Sequence, residues 1–521
     1  MEILIDIAQK TPEELLFLLE EKELLLAEKD NQISQKDHKI DDLEWRLNKL
    51  LHETYGKRSE KQDLSHQGRL FDEAGKEVEE TAPEDEVSEA FITAHKRIFK
   101  GRPALSKNLP RLTKTYDLSD EEKICSCGCE LVKIGEKTKE QLEFIPAQVR
   151  VIKHLRYQYA CRECEETMRL ADMPKQPIPK SIASPGLLAH VLVSKFQDHL
   201  PFYRQEQMLA RSGIYLNRRS FCTWAQQCAE LLKPLVQSMK LLMNAHDIGY
   251  SDETRLQVLK EPERKADSHS YMWLFIGGGE SERSFVYQYA PSRSHQIPKD
   301  FWSEFSGFLH TDGYSAYQTL FNNDQIPING LHCWAHTRRK FLEAAKQSKK
   351  ATLANWMIKE IAKLYHLEKT FKKQGYSPQH IFEQRQKKSK PILEKIKQWL
   401  DVNQPKVPPQ HPIGKAMSYT LKFWGNLVRY IDDGRFEVDN NRTERGIKPF
   451  VIGRKNWLFH DSTSGAEAGA IIYSLIETCK EHKINPYFYL RYVLQVIPNS
   501  DKSEKTYRSL LPFNIDRDIL T

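Results

Sequence analysis

The pattern of apolar residues shifts along this chain, and each shift marks a change of element. Leu19, Leu26, Ile33, Ile40 and Leu47 recur at every seventh position, joined later by Leu43 and Leu50. This is one full seam of a coiled coil. Lys22, Lys29 and Lys36 hold the places of the second seam, so a lone amphipathic helix is the rival reading. Self-association is favoured, because a long charged helix is hard to stabilise by itself. The expected helix ends near "YGKRSEK". From Pro177 to about Lys233 the period is helical again, and the turn "SGIYLN" separates two helices. Arg218, Arg219 and Ser220 open the second, which suits a helix-turn-helix and a helical bundle equally. Phe221, Trp224 and Leu231 read as core. From Ala245 the texture changes again. "DIGYSDETRLQVL", "SYMWLFIGGG" and "SFVYQYAP" read as three strands in a meander. A helix is expected over about 298–305, and "GFLHTDGYSAY" and "INGLHCWAH" read as two further strands.

Composition narrows the class. The chain has 521 residues, 40% hydrophobic and 29% charged. That predicts a packed protein of roughly three or four domains. A net charge of +7 permits a nucleic-acid partner without proving one. No apolar run approaches the roughly 18 residues of a membrane span, and the first residues carry acids where a secretory signal carries lysines. A cytoplasmic protein without a membrane partner is expected. Residues 71–90 are acidic and read as a linker. "HKRIFKGRPALSKNLPR" then reverses the sign, and Arg102 in its Gly-Arg-Pro core resembles a minor-groove AT-hook. A basic linker is the plainer account; contact with DNA phosphates is expected either way.

Nine cysteines are unevenly spread, and five fall between 125 and 164. Cys161 and Cys164 form a C-x-x-C half-site, while Cys125, Cys127 and Cys129 alternate. Between them, "EQLEFIPAQVRVIKHLRYQYAC" alternates like two strands. Cys125, Cys127, Cys161 and Cys164 are the expected ligands of a structural Zn²⁺ in a ribbon-like element, against chance cysteines in a reducing compartment. Cys222, Cys228 and Cys479 read as buried thiols. Cys333 and His336 read as core packing, since no second zinc half-site accompanies them.

Three meander strands followed by alternation of strand and helix is the order of a ribonuclease H-like fold. In that fold two acids stand at adjacent strand ends and a helix brings a third. Asp252 lies inside an apolar strand, where an isolated acid is costly unless it meets a cation. Asp312 ends the fourth strand. "VDNNRTERGIKPF" offers the third acid: Asn440 or Asn441 caps a helix and Glu444 sits in its first turn. A first-turn acid favoured by the helix dipole is the bland account of Glu444. Such a triad suits two Mg²⁺ or Mn²⁺ ions. Arg338, Arg339, Arg442, Arg445, Arg454 and Lys455 are the expected phosphate contacts. About 130 residues separate Asp312 from Glu444, so a helical insertion is expected over about 337–434. Its basic stretches read as a DNA clamp or as a solvated face.

"YSDETRLQVL", "HTDGYSAYQTL", "HCWAHTRRKFLEA" and "VDNNRTERGIKPFVIGRKNWLF" resemble the core motifs of IS66-family transposases. So does the tail "GAEAGAIIYSLIETCKEHKINPYFYLRYVL", and the likeness extends to the leucine-zipper helix, the cysteine element and "DHLPFYRQEQ". The first cysteine pair departs from the family spacing, because Ile124 stands where C-x-x-C expects cysteine. The resemblance implies a DDE transposase with Asp252, Asp312 and Glu444 as its triad. It also implies DNA partners (element ends and target), a homodimer joined through the coiled coil, and two small accessory proteins of the same bacterial element acting at the nucleoid. The expected architecture is a multidomain α+β chain. It runs from a coiled-coil helix (1–60) and linker (61–110) to a zinc element (111–176) and a helical DNA-binding region (177–240). A ribonuclease H-like catalytic core with its insertion (241–490) and a tail (491–521) follow. One rival is a catalytically inactive zinc-containing DNA-binding protein derived from a transposase; another is a nuclease that cuts without joining.

Overall fold

The alternating segment from Ile248 forms the sheet on which the site is built. A computed structural model describes residues 149–160, 168–321, 327–347 and 352–520, with Lys29 and Ser126. The heptad helix, Arg102 and the four expected zinc ligands lie outside the described residues. Described residues between 57 and 171 fall in one unit and those from Asp172 onward in another.

In the first unit, β1 (Gln158–Ala160) pairs antiparallel with β2 (Met168–Leu170). Arg156 Nε donates to the Ala171 carbonyl at 2.6 Å beside this ladder.

The second unit opens with α1 (Pro185–Phe196), whose start is fixed by a Ser184 cap and Pro185 in the first turn. Next come α2 (Phe202–Arg211) and α3 (Arg218–Asn244). Asn217 caps α3 by accepting the Arg219 N–H at 2.8 Å. The turn between α2 and α3 falls where the sequence places it. Phe221, Trp224, Leu232, Leu235 and Met239 of α3 are buried in the main core.

The sheet comprises β3 (Ile248–Lys260), β4 (His269–Gly277), β5 (Ser284–Ala290), β6 (Gly307–Thr311), β7 (Ile328–His332) and β8 (His460–Ser462). Its order is β5-β4-β3-β6-β7, with β8 pairing the far end of β3. β3, β4 and β5 are antiparallel neighbours, while β6 and β7 run parallel to β3. Between β5 and β7 lie α4 (Gln296–Phe301) and α5 (Ser315–Phe321). "CWAH", expected to end a strand, instead starts a helix at Trp334.

After β7 the described chain is mostly helical to about residue 432. This segment holds α6 (Trp334–Lys346), α7 (Thr352–Lys373), α8 (Pro378–Gln384), α9 (Lys390–Asn403), α10 (Pro412–Lys422) and α11 (Trp424–Val428). It buries a second core that includes Trp334, Phe341, Met357, Ile361, Leu364, Ile396 and Leu400. Finally α12 (Asn441–Trp457) and α13 (Thr463–Glu481) return to the sheet, followed by α14 (Pro486–Val496) and α15 (Glu504–Ser509). The Tyr287 N–H donates to Ser474 Oγ at 2.8 Å, which ties α13 to β5.

Candidate active site

Asp252 lies in the central strand, opposite Leu274 of β4. On its other side β3 pairs with β6, with Tyr250 beside His310. Side chains two apart share a sheet face, so the same register sets Asp312, just past β6, next to Asp252. The Asp252 carboxylate accepts the Glu253 N–H at 2.8 Å. Asp312 accepts the Tyr314 N–H at 2.9 Å, which closes a short turn over Gly313. A Cβ at Gly313 would stand 2.7 Å from Tyr419 Oη, so glycine here lets α10 close over the turn.

The third acid arrives on α12. Its start is held by a buried polar knot rather than by the expected asparagine cap. Asp439 accepts the Asn441 N–H at 3.0 Å and the Asn441 side-chain amide at 2.7 Å. Asn440, 1% exposed, makes no side-chain cap to the helix backbone. Its Nδ2 donates to the Ser251 carbonyl at 3.3 Å, and its backbone N–H meets Cys333 Sγ at 3.1 Å. The residue before Glu444's helix is thereby fastened to the residue before Asp252. At Gly446 a Cβ would be 2.9 Å from both Leu274 and Phe285, so α12 presses closely on β4 and β5. Tyr287 Oη donates to the Gly446 carbonyl.

Burial pushes the Asp252 carboxyl well above the usual carboxylate range, and the charges of Glu253, Asp312 and Glu444 push it further. Glu444 is bound by Arg339 and lies 3.8 Å from His336 Nε2. Burial and Arg339 lower the His336 pKa, against the opposing pull of Glu444 and Asp312. Among the described residues, no three His, Cys, Asp or Glu side chains already stand at metal-ligand spacing. The chemistry of the donor set nonetheless fits a divalent cation: hard carboxylate oxygens, with buried Asp252 raised by its acidic neighbours.

Comparison with known proteins decides the family. The model for "Transposase IS66 family" matches residues 180–468, more than half of the chain. The chain belongs to the IS66 transposase family. Models for the zinc-finger binding domain of transposase IS66, the IS66 C-terminal element and the Transposase C of IS166 homeodomain match residues 122–165, 474–513 and 42–113. Uncharacterized protein y4jD of Sinorhizobium fredii is 33% identical over 430 residues, covering 80% of this chain and 83% of its own. Uncharacterized protein y4qI of the same organism is 30% identical over 489 residues, covering 91% and 88%. Membership implies a DNA partner, and the zinc-finger match implies zinc. Among the described residues no helix is long and apolar enough to cross a membrane.

The cations of this IS66-family chain divide by what they touch. Arg442, expected to face phosphate, turns inward instead. It pairs with Glu437 at 2.7 Å and Glu481 at 3.2 Å, 21% exposed. Arg339 is half exposed but engaged by Glu444. Arg445 and Lys455 are exposed and Arg338 is half-buried. Half-buried Arg454 donates to Thr254 Oγ1 at 3.3 Å, two residues along β3 from Asp252, and burial lowers its pKa. Cys228 and Cys479 are buried as expected, but Cys222 is exposed. Sequence reading passed over Glu253, Arg293, Tyr314 and Tyr317, whose partners are distant along the chain.

Proposed function

We propose that this transposase-family chain is a DDE transposase with a ribonuclease H-like core. It binds the ends of its element, cuts phosphodiesters there and joins the freed 3′-hydroxyls to target DNA. The observation that carries this reading is the β3–β6 register, which sets Asp312 next to Asp252 in a sheet ordered β5-β4-β3-β6-β7, with the charge of Glu444 on α12 also raising the Asp252 pKa. Three antiparallel strands extended by two parallel ones support the ribonuclease H-like assignment.

Asp252, Asp312 and Glu444 would hold two Mg²⁺ or Mn²⁺ ions, which supply charge neutralisation for attacking and leaving oxygens and a lowered pKa for water. The residues themselves do the aiming. The Glu253 N–H and the Tyr314 N–H fix the carboxylate rotamers of Asp252 and Asp312. Glu444 exchanges Arg339 for the site, which frees Arg339 for a phosphate. Arg338, Arg445, Arg454 and Lys455 hold neighbouring phosphates. In cleavage, a water oxygen bonds to phosphorus and gives up a proton as the bond to the element's 3′-oxygen breaks; that oxygen takes up a proton and leaves as the element's 3′-hydroxyl, with a 5′-phosphate on the flanking strand. In joining, that 3′-hydroxyl loses its proton as its oxygen bonds to a target phosphorus in-line, and the target 3′-oxygen leaves and takes up a proton. Cys125, Cys127, Cys161 and Cys164 would hold the structural Zn²⁺, residues 177–240 would contribute to end recognition, and the heptad helix would pair two subunits.

The test is a cleavage and joining assay on labelled element-end DNA with Mg²⁺ or Mn²⁺ and the element's accessory proteins. Wild type is expected to cut and join. Asp252→Ala, Asp312→Ala and Glu444→Ala are expected to bind ends but not cut. A variant that cuts at a rate near wild type would overturn the triad. Binding without cutting by wild type would favour a DNA-binding protein without catalysis.

A further inference from the structure

Glu253 follows Asp252 and projects from the opposite face of β3, as successive strand residues do. Its side chain is 1% exposed. A carboxylate so buried needs partners. Arg293 Nε donates to Glu253 Oε1 at 2.6 Å, and Tyr317 Oη donates to Oε2 at 2.8 Å. The Arg293 guanidinium lies 3.5 Å from the centroid of the Tyr314 ring. Tyr314 Oη donates back to the Arg293 carbonyl at 2.8 Å. Tyr314 is the residue whose N–H holds Asp312, and Glu253 is the residue whose N–H holds Asp252. One chain of contacts, Asp252 to Glu253 to Arg293 to Tyr314 to Asp312, therefore links the donors that hold both aspartates.

We propose that Glu253, Arg293 and Tyr314 are positioning residues that set the separation and rotamers of Asp252 and Asp312 for a divalent cation. This rests on the DDE reading above. Glu253 is enclosed but Arg293 is 38% exposed, and such a half-buried ion pair adds little stability by itself. Its position between the two acids gives it a different use: it transmits the place of one acid to the other. Groups behind metal ligands hold those ligands' orientation, and losing them weakens metal binding.

The test measures Mn²⁺ affinity of the full chain by electron paramagnetic resonance, with thermal unfolding in parallel. Asp252→Asn is expected to lose Mn²⁺ binding. Glu253→Gln and Arg293→Met are expected to weaken it about tenfold or more, and Arg293→Lys to recover part of the loss. Should Arg293→Met fail to fold, Glu253→Gln and Tyr314→Phe, which keep the volume, carry the test. Mn²⁺ affinities in Glu253→Gln and Tyr314→Phe close to wild type, with Asp252→Asn deficient, would overturn the positioning role alone. Weakened binding that falls in step with melting temperature and that Arg293→Lys does not recover would also overturn it. Wild-type affinity in Asp252→Asn would overturn the site itself.

Discussion

Arg385 holds the strap that leads into the third acid, and its removal has a calculable effect. It sits between α8 and α9, 2% exposed, and makes five hydrogen bonds. Two go to Glu368, at 2.9 and 2.7 Å. Three go to carbonyls of the strap, at Tyr430, Asp433 and Phe436, between 2.6 and 2.8 Å. Arg385→Met keeps the stem's volume but strands a buried carboxylate and three carbonyls. Removing one partner of a buried pair costs about 3–5 kcal/mol, and each carbonyl left buried without a donor adds about 1–3 kcal/mol. The Asp433 carbonyl is only part-buried, so water can replace its donor. Contacting terms do not sum, and about 4–6 kcal/mol is the expected total. Against a stability of about 5–15 kcal/mol, that is enough to open the strap. Hydrogen exchange of residues 429–440 is the assay, because it reads local opening in a chain of several cores. Adding Glu368→Leu removes the stranded charge and should restore much of the protection. Unchanged exchange in Arg385→Met, or a double variant no better than the single, would refute the reasoning.

Asn440→Ala removes the tie between α12 and Ser251 and should cost about 1–3 kcal/mol, with a larger loss of cleavage than of end binding; equal losses of both would contradict it. In EDTA the fold should lose stability as pH rises from the ordinary carboxylate range, because folded Asp252 binds its proton more tightly than the unfolded chain does. Asp252→Asn should flatten that part of a melting-temperature profile, and an unchanged slope would count against the crowded-acid reading. Arg445→Ala should reduce the salt slope of DNA binding by about one, whereas Arg442→Ala should lower the melting temperature and leave the slope alone. The reverse pattern would mean that Arg442 faces DNA after all.

The strands were legible as short apolar and aromatic runs bounded by turn residues, as in β4, and Asp252 stood out as an acid inside such a run. Asp312 and Glu444 followed from strand-end and helix-start signals. The helical segment between β7 and α12 was legible only as a length that a sheet core does not need. Arg442 meets Glu437 and Glu481, which its spacing did not announce, because neighbouring arginines on a helix point in different directions and Glu481 is 39 residues away. Arg293 meets Glu253 across 40 residues, so no spacing along the chain announces their pairing. Asn440 looked like a cap because asparagine usually serves as one, but the fold uses it to join three elements. Cys222 looked buried because its helix is, yet it faces outward at the first turn.

The central claim is that Asp252, Asp312 and Glu444 bind one divalent-metal site. Iron-directed backbone cleavage tests it most directly: Fe²⁺ is admitted, hydroxyl radicals are generated with ascorbate and peroxide, and the cut positions are mapped by mass spectrometry. Cuts should cluster around all three residues, fade with excess Mg²⁺ and vanish in Asp252→Asn. Cuts at one segment alone, or cuts elsewhere that Mg²⁺ does not suppress, would contradict the account.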